Sequence, residues 1–286
     1  MPSEEYIAAY SRAMLGAVQR NSGYLARQEI DKILEKIAIK DEKRLEPFGF
    51  KVYSQGDEDG IIEEIFRRIG VVKGRFLEIG VENGLECNTL YLLHKGWTGY
   101  WVEGNQKQQD AIENKFKSLM VKKKLGLVIG LVYPDNINLL LKKIGFEENV
   151  DFLSIDIDGN DVYLLGSMKC RPKVVCIEYN AKFPPNVSKR PVYHADNFWN
   201  GGDYMGSSLL AITEEADRLG YQLVATNVTG ANAFFVRKDL VDDKFPDDSS
   251  SEALYNPPRY HLIFDHFSHI GHRADFGPYV DLEEKN

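Results

Sequence analysis

The chain reads Arg75-Phe76-Leu77-Glu78-Ile79-Gly80-Val81-Glu82-Asn83-Gly84 at the point that decides its fold. An apolar run of strand length is followed by two glycines four residues apart, and Leu90, Leu92 and Leu93 then recur as in a helix. Glycines there would let the backbone approach a ligand that a side chain would block. The pattern predicts a strand, a tight turn and a helix, which together begin an open α/β sheet.

The sequence on either side extends this unit into a larger sheet. Apolar runs alternate with helical stretches, and the runs predict strands at 75–80, 99–104, 126–133, 151–157 and 173–179. Such a βαβ series implies a parallel sheet with helices on both faces. Residues 206–219 predict a further helix, and 221–228 with 231–236 predict a closing hairpin. The predicted fold class is α/β, a doubly wound, mostly parallel, seven-stranded Rossmann-like sheet with a terminal antiparallel hairpin.

The segments outside the sheet predict a three-part organisation. Residues 1–48 predict an N-terminal helical cap of two helices with a break near Asn21-Ser22-Gly23. Residues 49–240 form the main domain, and 241–286 form a C-terminal extension. The tail histidines are spaced irregularly for one metal site and indicate a solvated or packed tail; they are His261, His266, His269 and His272.

Composition narrows the class of protein. With 286 residues and 43% hydrophobic content, one main domain is expected. The net charge of −8 disfavours nucleic acid and anionic membranes, which attract basic surfaces. Neither a signal peptide nor an apolar run of about 18 residues is visible, so we expect a cytoplasmic protein. Cys87, Cys170 and Cys176 lack CxxC spacing, which predicts reduced, buried thiols.

An acid after the second predicted strand narrows the choice of cofactor. Glu103 lies roughly 20 residues past the glycine turn, where a carboxylate can accept hydrogen bonds from ribose hydroxyls. The middle glycine of the dinucleotide fingerprint is missing, and Glu82 would repel a diphosphate. S-adenosylmethionine (SAM) carries no phosphate, and its sulfonium and ammonium groups would be attracted by Glu78 and Glu82. The predicted cofactor is therefore SAM.

Six short motifs occur in order along the chain. They are Ser54-Gln55 with Glu58-Asp59-Gly60, Glu78-Ile79-Gly80, Trp101-Val102-Glu103-Gly104, Asp135-Asn136-Ile137-Asn138, Asp156-Ile157-Asp158-Gly159-Asn160-Asp161 and Ile177-Glu178-Tyr179-Asn180. Together they resemble the FkbM-like group of class I SAM-dependent methyltransferases, over roughly residues 50–240. The first motif departs from the family pattern because its glycine is displaced to Gly56. The tail after 240 matches nothing in the family.

The resemblance implies roles for individual residues. Glu78, Gly80 and Gly84 would line the methionine side of SAM, and Glu103 would hold the ribose. The segment Asp135-Asn136 would lie near the adenine. Two further implied cofactor contacts are Ser54-Gln55, which would cover the cofactor, and Asp156 at the end of the fourth strand. The implied activity is O-methylation of a hydroxyl on a sugar or small natural product.

Oxygen-bearing side chains follow two neighbouring predicted strands. Asp156 and Asp158 follow the fourth strand, and Glu178 and Asn180 end the fifth, so these side chains should meet where open α/β sheets bind ligands. Methyl transfer is an in-line displacement, and an alcohol acceptor must also lose its proton. In one arrangement Asp156, Glu178 and Asn180 bind Mg²⁺ or another divalent cation that holds the acceptor oxygen. In the other, Asp158 or His194 removes the proton without metal.

Two other functions remain open at the level of sequence. The stretch Asp156-Ile157-Asp158-Gly159 resembles the nucleophile motif of haloacid-dehalogenase-like phosphohydrolases, although Asn160 follows it and three predicted strands precede it. A SAM-fold module that binds a partner without turnover is the second alternative. We expect a small-molecule or glycan acceptor, with an apolar wall from Phe198, Trp199 and Tyr204. The N-terminal helices offer a contact surface for a homo-oligomer.

Overall fold

Seven strands form one sheet in the computed structural model, which describes residues 3–196, 199–262 and 275–276. The strands are β1 (Arg75–Ile79), β2 (Thr98–Glu103), β3 (Leu125–Ile129), β4 (Phe152–Ile155), β5 (Val174–Glu178), β6 (Tyr221–Thr226) and β7 (Asn232–Arg237). Their order is β3-β2-β1-β4-β5-β7-β6. Strands β1 to β5 are parallel, and β7 runs antiparallel to β5 and β6. This confirms the predicted doubly wound sheet and its terminal hairpin.

Helices cover both faces of the sheet. They are α1 (Glu4–Lys40), α2 (Glu58–Arg68), α3 (Leu90–His94), α4 (Gln109–Val121), α5 (Ile137–Ile144), α6 (Asp161–Ser167), α7 (Leu209–Arg218), α8 (Ser251–Leu254) and α9 (Tyr260–Leu262), with 3₁₀ turns at Glu46–Phe48, Gln106–Gln108 and Lys238–Leu240. One core cluster joins side chains of α2, α3 and α4 to the sheet, and a second joins α5, α6 and α7 to it. Burial of both faces explains the continuous apolar runs in the central strands.

The N-terminal segment is a single helix, so the predicted break at Asn21-Ser22-Gly23 is wrong. Helix α1 begins after Ser3, whose side chain accepts a hydrogen bond from the backbone N–H of Tyr6 at 3.3 Å. Gly23 is buried together with Ala26 and Ile30 where the helix contacts the rest of the chain. The cost of glycine in a helix interior, about 1 kcal/mol, is offset there by close packing.

Two parallel strands end earlier than predicted. The run predicted at 126–133 leaves the sheet at Ile129, because Gly130 has φ of +155° and Pro134 follows closely. The run predicted at 151–157 leaves it at Ile155. As a result, Leu131 to Tyr133 and Asp156 to Asp158 belong to loops at the carboxyl edge of the sheet.

The chain after β7 packs onto the sheet as far as it is described. Phe245 and Leu254 are buried in the two core clusters, and the Tyr179 hydroxyl donates to the carbonyl of Asn256 at 2.6 Å. His261 is exposed. The other three tail histidines, His266, His269 and His272, lie outside the described residues.

The cysteines agree with the expectation from sequence. Cys87, Cys170 and Cys176 are free and buried, which confirms the predicted packed thiols. Within the described residues, the helices lack a stretch both long and apolar enough to cross a membrane.

Candidate functional site

A cavity of about 590 Å³ lies at the carboxyl edge of the parallel strands, where open α/β sheets bind ligands. The predicted site residues that line it are Gln55, Glu78, Gly80, Glu103, Asp156, Asp158 and Glu178. The predicted site residues outside its lining are Ser54, Gly84, Asp135, Asn136, Asn180 and His194. The structure therefore gathers residues from five segments of the chain around one volume.

The turn after β1 contains two glycines in left-handed backbone, Gly80 with φ of +85° and Gly84 with φ of +77°. A Cβ atom on Gly80 would lie 1.7 Å from the carbonyl oxygen of Asp156, and one on Gly84 would lie 2.6 Å from the Trp101 ring. Packing within the protein thus requires both glycines. Gly80 also lines the cavity, whereas Gly84 contacts Trp101 and Phe116 away from it.

Glu103 joins the end of β2 to the glycine turn. One carboxylate oxygen accepts hydrogen bonds from the backbone N–H groups of Val81 at 3.1 Å and Glu82 at 2.7 Å. The other accepts from the N–H of Asn105 at 2.7 Å. Glu103 is only 7% exposed and faces the cavity. It therefore holds the turn in place and still presents carboxylate to a ligand.

Glu78 holds the chain that precedes α3. Its carboxylate accepts from the backbone N–H of Asn88 at 2.7 Å and of Thr89 at 3.1 Å, and also from the Thr89 hydroxyl. Burial raises the pKa of Glu78 to about 7, although these hydrogen bonds oppose the shift. Glu78 therefore forms part of the cavity wall, and its charge depends on pH near neutrality.

Three carboxylates form a cluster at one end of the cavity. Asp156, Asp158 and Glu178 each offer an oxygen, and these oxygens all lie within 4.8 Å of one another. Asp158 reaches this position because its backbone is left-handed, with φ of +57°. A strained residue of this kind is common at functional sites.

The described cavity lining offers no basic side chain to pair with the three carboxyl groups of the cluster. Loss of surrounding water inside the cavity is the main cause that raises the pKa of each of the three carboxyl groups, although Asp156 is exposed to the cavity. Repulsion from neighbouring aspartates adds to the effect for Asp156 and Glu178. Two side-chain oxygens of lining residues, Glu178 Oε2 and Asn160 Oδ1, are buried and, within the described chain, accept no hydrogen bond. A bound cation or a hydrogen-bond donor would satisfy these oxygens.

Asn180, predicted as a metal ligand beside Asp156 and Glu178, lies outside the cavity lining and is hydrogen-bonded elsewhere. Its side-chain amide donates to the carbonyl oxygens of Asp203 at 2.9 Å and Met205 at 2.6 Å. Its side-chain oxygen accepts from the N–H of Lys182 at 3.2 Å. The chain has already left the strand at Asn180, so strand alternation no longer sets the direction of its side chain. Asp158 occupies the third position of the cluster instead.

The segment around Ser54 and Gln55, which was predicted to cover the cofactor, folds around the side chain of Asp59. One Asp59 carboxylate oxygen accepts from the backbone N–H groups of Val52, Tyr53 and Ser54 at 2.7 to 2.9 Å. Ser54 is fully buried, and its hydroxyl donates to the carbonyl of Gly56. Of the predicted pair, only Gln55 lines the cavity.

The loop after β3 lines the cavity through residues that the motifs did not identify. Leu131, Val132 and Tyr133 all line it, whereas Asp135 and Asn136 lie outside the lining. The Asn136 side chain accepts from the N–H of Tyr133 at 2.8 Å and donates to the carbonyl of Leu131 at 3.1 Å. Asn136 therefore shapes the loop whose neighbouring side chains line the cavity.

His194 is an exposed residue outside the cavity lining. Its backbone carbonyl accepts from the Asn160 side chain at 2.9 Å, and its ring accepts from the N–H of Asp196 at 3.2 Å. The adjacent Ala195 lines the cavity. The loop thus reaches the cavity, but the imidazole expected to act as a base is not part of its wall.

Of the predicted apolar wall, Trp199 lines the cavity and Tyr204 does not, while Phe198 lies outside the described residues. Sequence reasoning also missed several lining residues, namely Asn88, Asn105, Asn160, Met205 and Asn232. Asn105 and Asn160 could have been found because each lies two residues beyond a predicted site residue. No local signal identifies Met205 or Asn232, which only the tertiary fold brings here.

The charge of the cavity is strongly one-sided. Its lining contains seven acidic residues, which are Glu78, Glu82, Glu86, Glu103, Asp156, Asp158 and Glu178. None of the described lining residues is lysine, arginine or histidine. Partial burial, with repulsion by neighbouring carboxylates in addition, raises the pKa of Glu82 as well. Such a cavity attracts cationic groups and repels phosphate.

No protein-family model matches the chain, and no curated protein sequence matches it, so the FkbM-like assignment stays a prediction from the motifs. Among solved structures, an O-methyltransferase from Bacillus cereus in complex with S-adenosylhomocysteine (SAH) is similar, with 15% identity, TM-score 0.41, and 73% of this chain and 88% of that chain covered.

Two further solved structures are similar to the chain. The N-terminal domain of EvdMO1 with SAH bound has 13% identity and a TM-score of 0.43, with 73% of this chain and 94% of that chain covered. The glycopeptide N-methyltransferase MtfA complexed with sinefungin has 15% identity and a TM-score of 0.38, with 63% of this chain and 86% of that chain covered. The solved structures similar to this chain thus include methyltransferases that bind SAH or sinefungin.

Proposed function

We propose that this chain is a SAM-dependent methyltransferase that O-methylates a hydroxyl group on a sugar or small natural product. The observation that carries the proposal is the cavity at the carboxyl edge of the sheet, with seven acidic residues and no basic residue among those described in its lining. SAM carries a sulfonium and an ammonium group and no phosphate. A dinucleotide or a nucleoside triphosphate would bring several negative charges into the same volume.

The residues around the cavity fit SAM in size and chemistry. A volume of about 590 Å³ is in the usual range for small-molecule sites. Glu103 would accept hydrogen bonds from the ribose, and Leu131 with Val132 offers apolar surface for the adenine. A Cβ atom on Gly130 would meet no atom within 4 Å, so the backbone there is open to a ligand. SAM, when bound, would supply an electrophilic methyl group for in-line transfer.

A divalent cation forms the second part of the proposal. Asp156, Asp158 and Glu178 would hold Mg²⁺ or a similar hard cation through carboxylate oxygens, which such ions prefer. The raised pKa of each carboxyl and the unpartnered Glu178 Oε2 support a positive charge at this point. The cation would supply Lewis acidity, which lowers the pKa of an acceptor hydroxyl.

The acceptor side of the cavity favours neutral molecules with hydroxyl groups. An anionic acceptor would be repelled by the acid cluster, whereas a neutral molecule with hydroxyl groups would not. Trp199 and Met205 offer apolar surface at the same cavity. In the alternative without a cation, Asp158, whose pKa burial raises, is suited to accept the hydroxyl proton. His194 lies outside the lining and is not part of this proposal.

The acidic lining also weighs against a phosphohydrolase that uses Asp156 and Asp158. Such an enzyme has to bind an anionic phosphate ester, which the acidic side chains of the lining outside the cation cluster would repel. The described cavity lining offers neither lysine nor arginine.

Methyl transfer can be tested with SAM carrying an isotope-labelled methyl group. The protein, Mg²⁺ and SAM are incubated with a panel of neutral sugars and phenols, and SAH formation and label in the acceptor are measured. We expect acceptor-dependent SAH formation, with Asp158→Asn at least about 100-fold slower, in line with loss of a cation ligand or, in the alternative without a cation, of the general base. SAM binding without transfer to any acceptor would favour a non-catalytic binding module. Phosphate release from an aryl phosphate without SAM binding would favour the hydrolase.

A further inference from the structure

We propose that the apolar stripe of α1, formed by Ile7, Tyr10, Met14, Val18 and Leu25, binds the same stripe on a second copy of this chain. These residues follow one another at intervals of three, four and seven, so they share one side of the helix. Each is between 53% and 63% exposed. The stripe is therefore an extended apolar surface that the described protein leaves open to solvent.

The stripe lies on the side of α1 that faces away from the rest of the chain. The helix contacts the body through Gly23, Ala26 and Ile30, which are buried. At 3.6 residues per turn, the stripe is roughly opposite these residues. Among the described residues of the helix before Gly23, none is buried. This half of α1 projects from the body, so a second helix can reach the stripe.

The projecting half of α1 lacks the contacts that normally stabilise a helix. Isolated helices of this length are marginal in water, and most helices in proteins are stabilised by tertiary packing. Gly16 lies inside this segment and costs about 1 kcal/mol relative to alanine. Packing of its apolar side against another surface would supply the stabilisation that this half of α1 lacks.

The chemistry of the stripe favours an identical partner. From Glu5 to Gln28, the side of the helix that carries the stripe contains no charged residue. Nucleic acid, an acidic peptide or an anionic membrane would find no basic group on that side. An uncharged apolar face complements itself, which is the condition for a symmetric, isologous contact.

The size of the surface also suits a dimer. The flanking Tyr6 and Tyr24 are 63% and 65% exposed. Seven large side chains, each with about 100 Å² exposed, offer roughly 700 Å². A stable interface of standard size needs about 800 Å² from each partner. Pairing of two α1 helices would therefore supply most of such an interface.

The test is the mass of the full chain in solution, measured by sedimentation equilibrium over a micromolar concentration series. We expect twice the chain mass of 32.6 kDa for the wild type. The double variant Tyr10→Glu, Met14→Glu should sediment as a monomer, because two charges would be buried in the contact. The matched control Ala9→Glu, Gln19→Glu adds the same charge on the other side of α1, at exposed positions. It should remain a dimer.

Circular dichroism of both double variants separates loss of pairing from loss of folding. Since glutamate is a good helix former, both should keep the body folded. A wild type that stays monomeric at all concentrations would overturn the proposal. So would a dimer that both double variants disrupt equally while remaining folded. A monomer that binds neutral phosphatidylcholine vesicles through the stripe would likewise overturn it and would assign the stripe to lipid.

Discussion

Replacing Glu103 with alanine is expected to lower the affinity for SAM by about 100-fold or more. The carboxylate accepts three backbone hydrogen bonds, from Val81, Glu82 and Asn105, and it faces the cavity. A hydrogen bond to a charged group contributes about 1.5–3 kcal/mol, and 1.4 kcal/mol corresponds to a factor of ten. Alanine would remove the proposed ribose contact and release the glycine turn at the same time. Isothermal titration with SAM measures the effect.

Two further variants provide a conservative comparison and a surface control. Glu103→Gln keeps the shape but places an amide N–H group against backbone donors, so it should also bind SAM weakly. Glu113→Ala removes an exposed carboxylate on α4 and should leave the affinity unchanged. Thermal unfolding of each variant reports whether the fold persists. Wild-type SAM affinity in a folded Glu103→Ala protein would exclude Glu103 from the cofactor site.

Replacing Glu178 with glutamine is expected to weaken divalent-cation binding by about 100-fold. Loss of an outer-sphere partner alone costs about 10–100-fold in metal affinity, so loss of a carboxylate ligand should reach the upper end of that range. Mn²⁺ is a suitable probe, because electron paramagnetic resonance measures the free ion without depending on turnover. Asp196→Asn is the matched control, since this exposed carboxylate is close in sequence to the cavity wall but outside its lining.

The pH dependence of cation binding gives a second check on the cluster. The pKa values of Asp156, Asp158 and Glu178 are all raised, so protons compete with the cation well above the usual carboxyl range. Mn²⁺ affinity should therefore increase as pH rises from mildly acidic to neutral. Wild-type methyl transfer should also stop after chelation and return with Mg²⁺. Full activity in the presence of chelator would leave Asp158 acting without metal.

The sheet was predictable because its determinants are local. Each central strand is a short apolar run followed by glycine or acidic residues, and a βαβ series can be connected in few ways. The strand assignments also predict which acidic residues line the cavity, because each lies at or just beyond the carboxyl end of its strand. These residues are Glu78, Glu103 and Asp156. Side-chain direction is set by strand geometry up to that point.

Beyond the strand ends, sequence spacing stops specifying where a side chain points. Asn180 turns to the carbonyl of Met205, while the left-handed backbone of Asp158 brings its carboxylate beside Glu178. The imidazole of His194 lies outside the cavity because that loop is held through its backbone carbonyl. The break predicted in α1 was wrong for a similar reason. Burial of Gly23 depends on tertiary contacts that the local sequence does not reveal.

Isothermal titration of the protein with SAM and, separately, with NAD⁺ tests the cofactor assignment most directly. Both ligands carry an adenosine unit, but only NAD⁺ brings a diphosphate into a cavity lined by seven acidic residues. We expect one SAM to bind per chain with micromolar affinity and no measurable binding of NAD⁺. Binding of NAD⁺ without binding of SAM would contradict the assignment of this cavity to a phosphate-free, cationic cofactor.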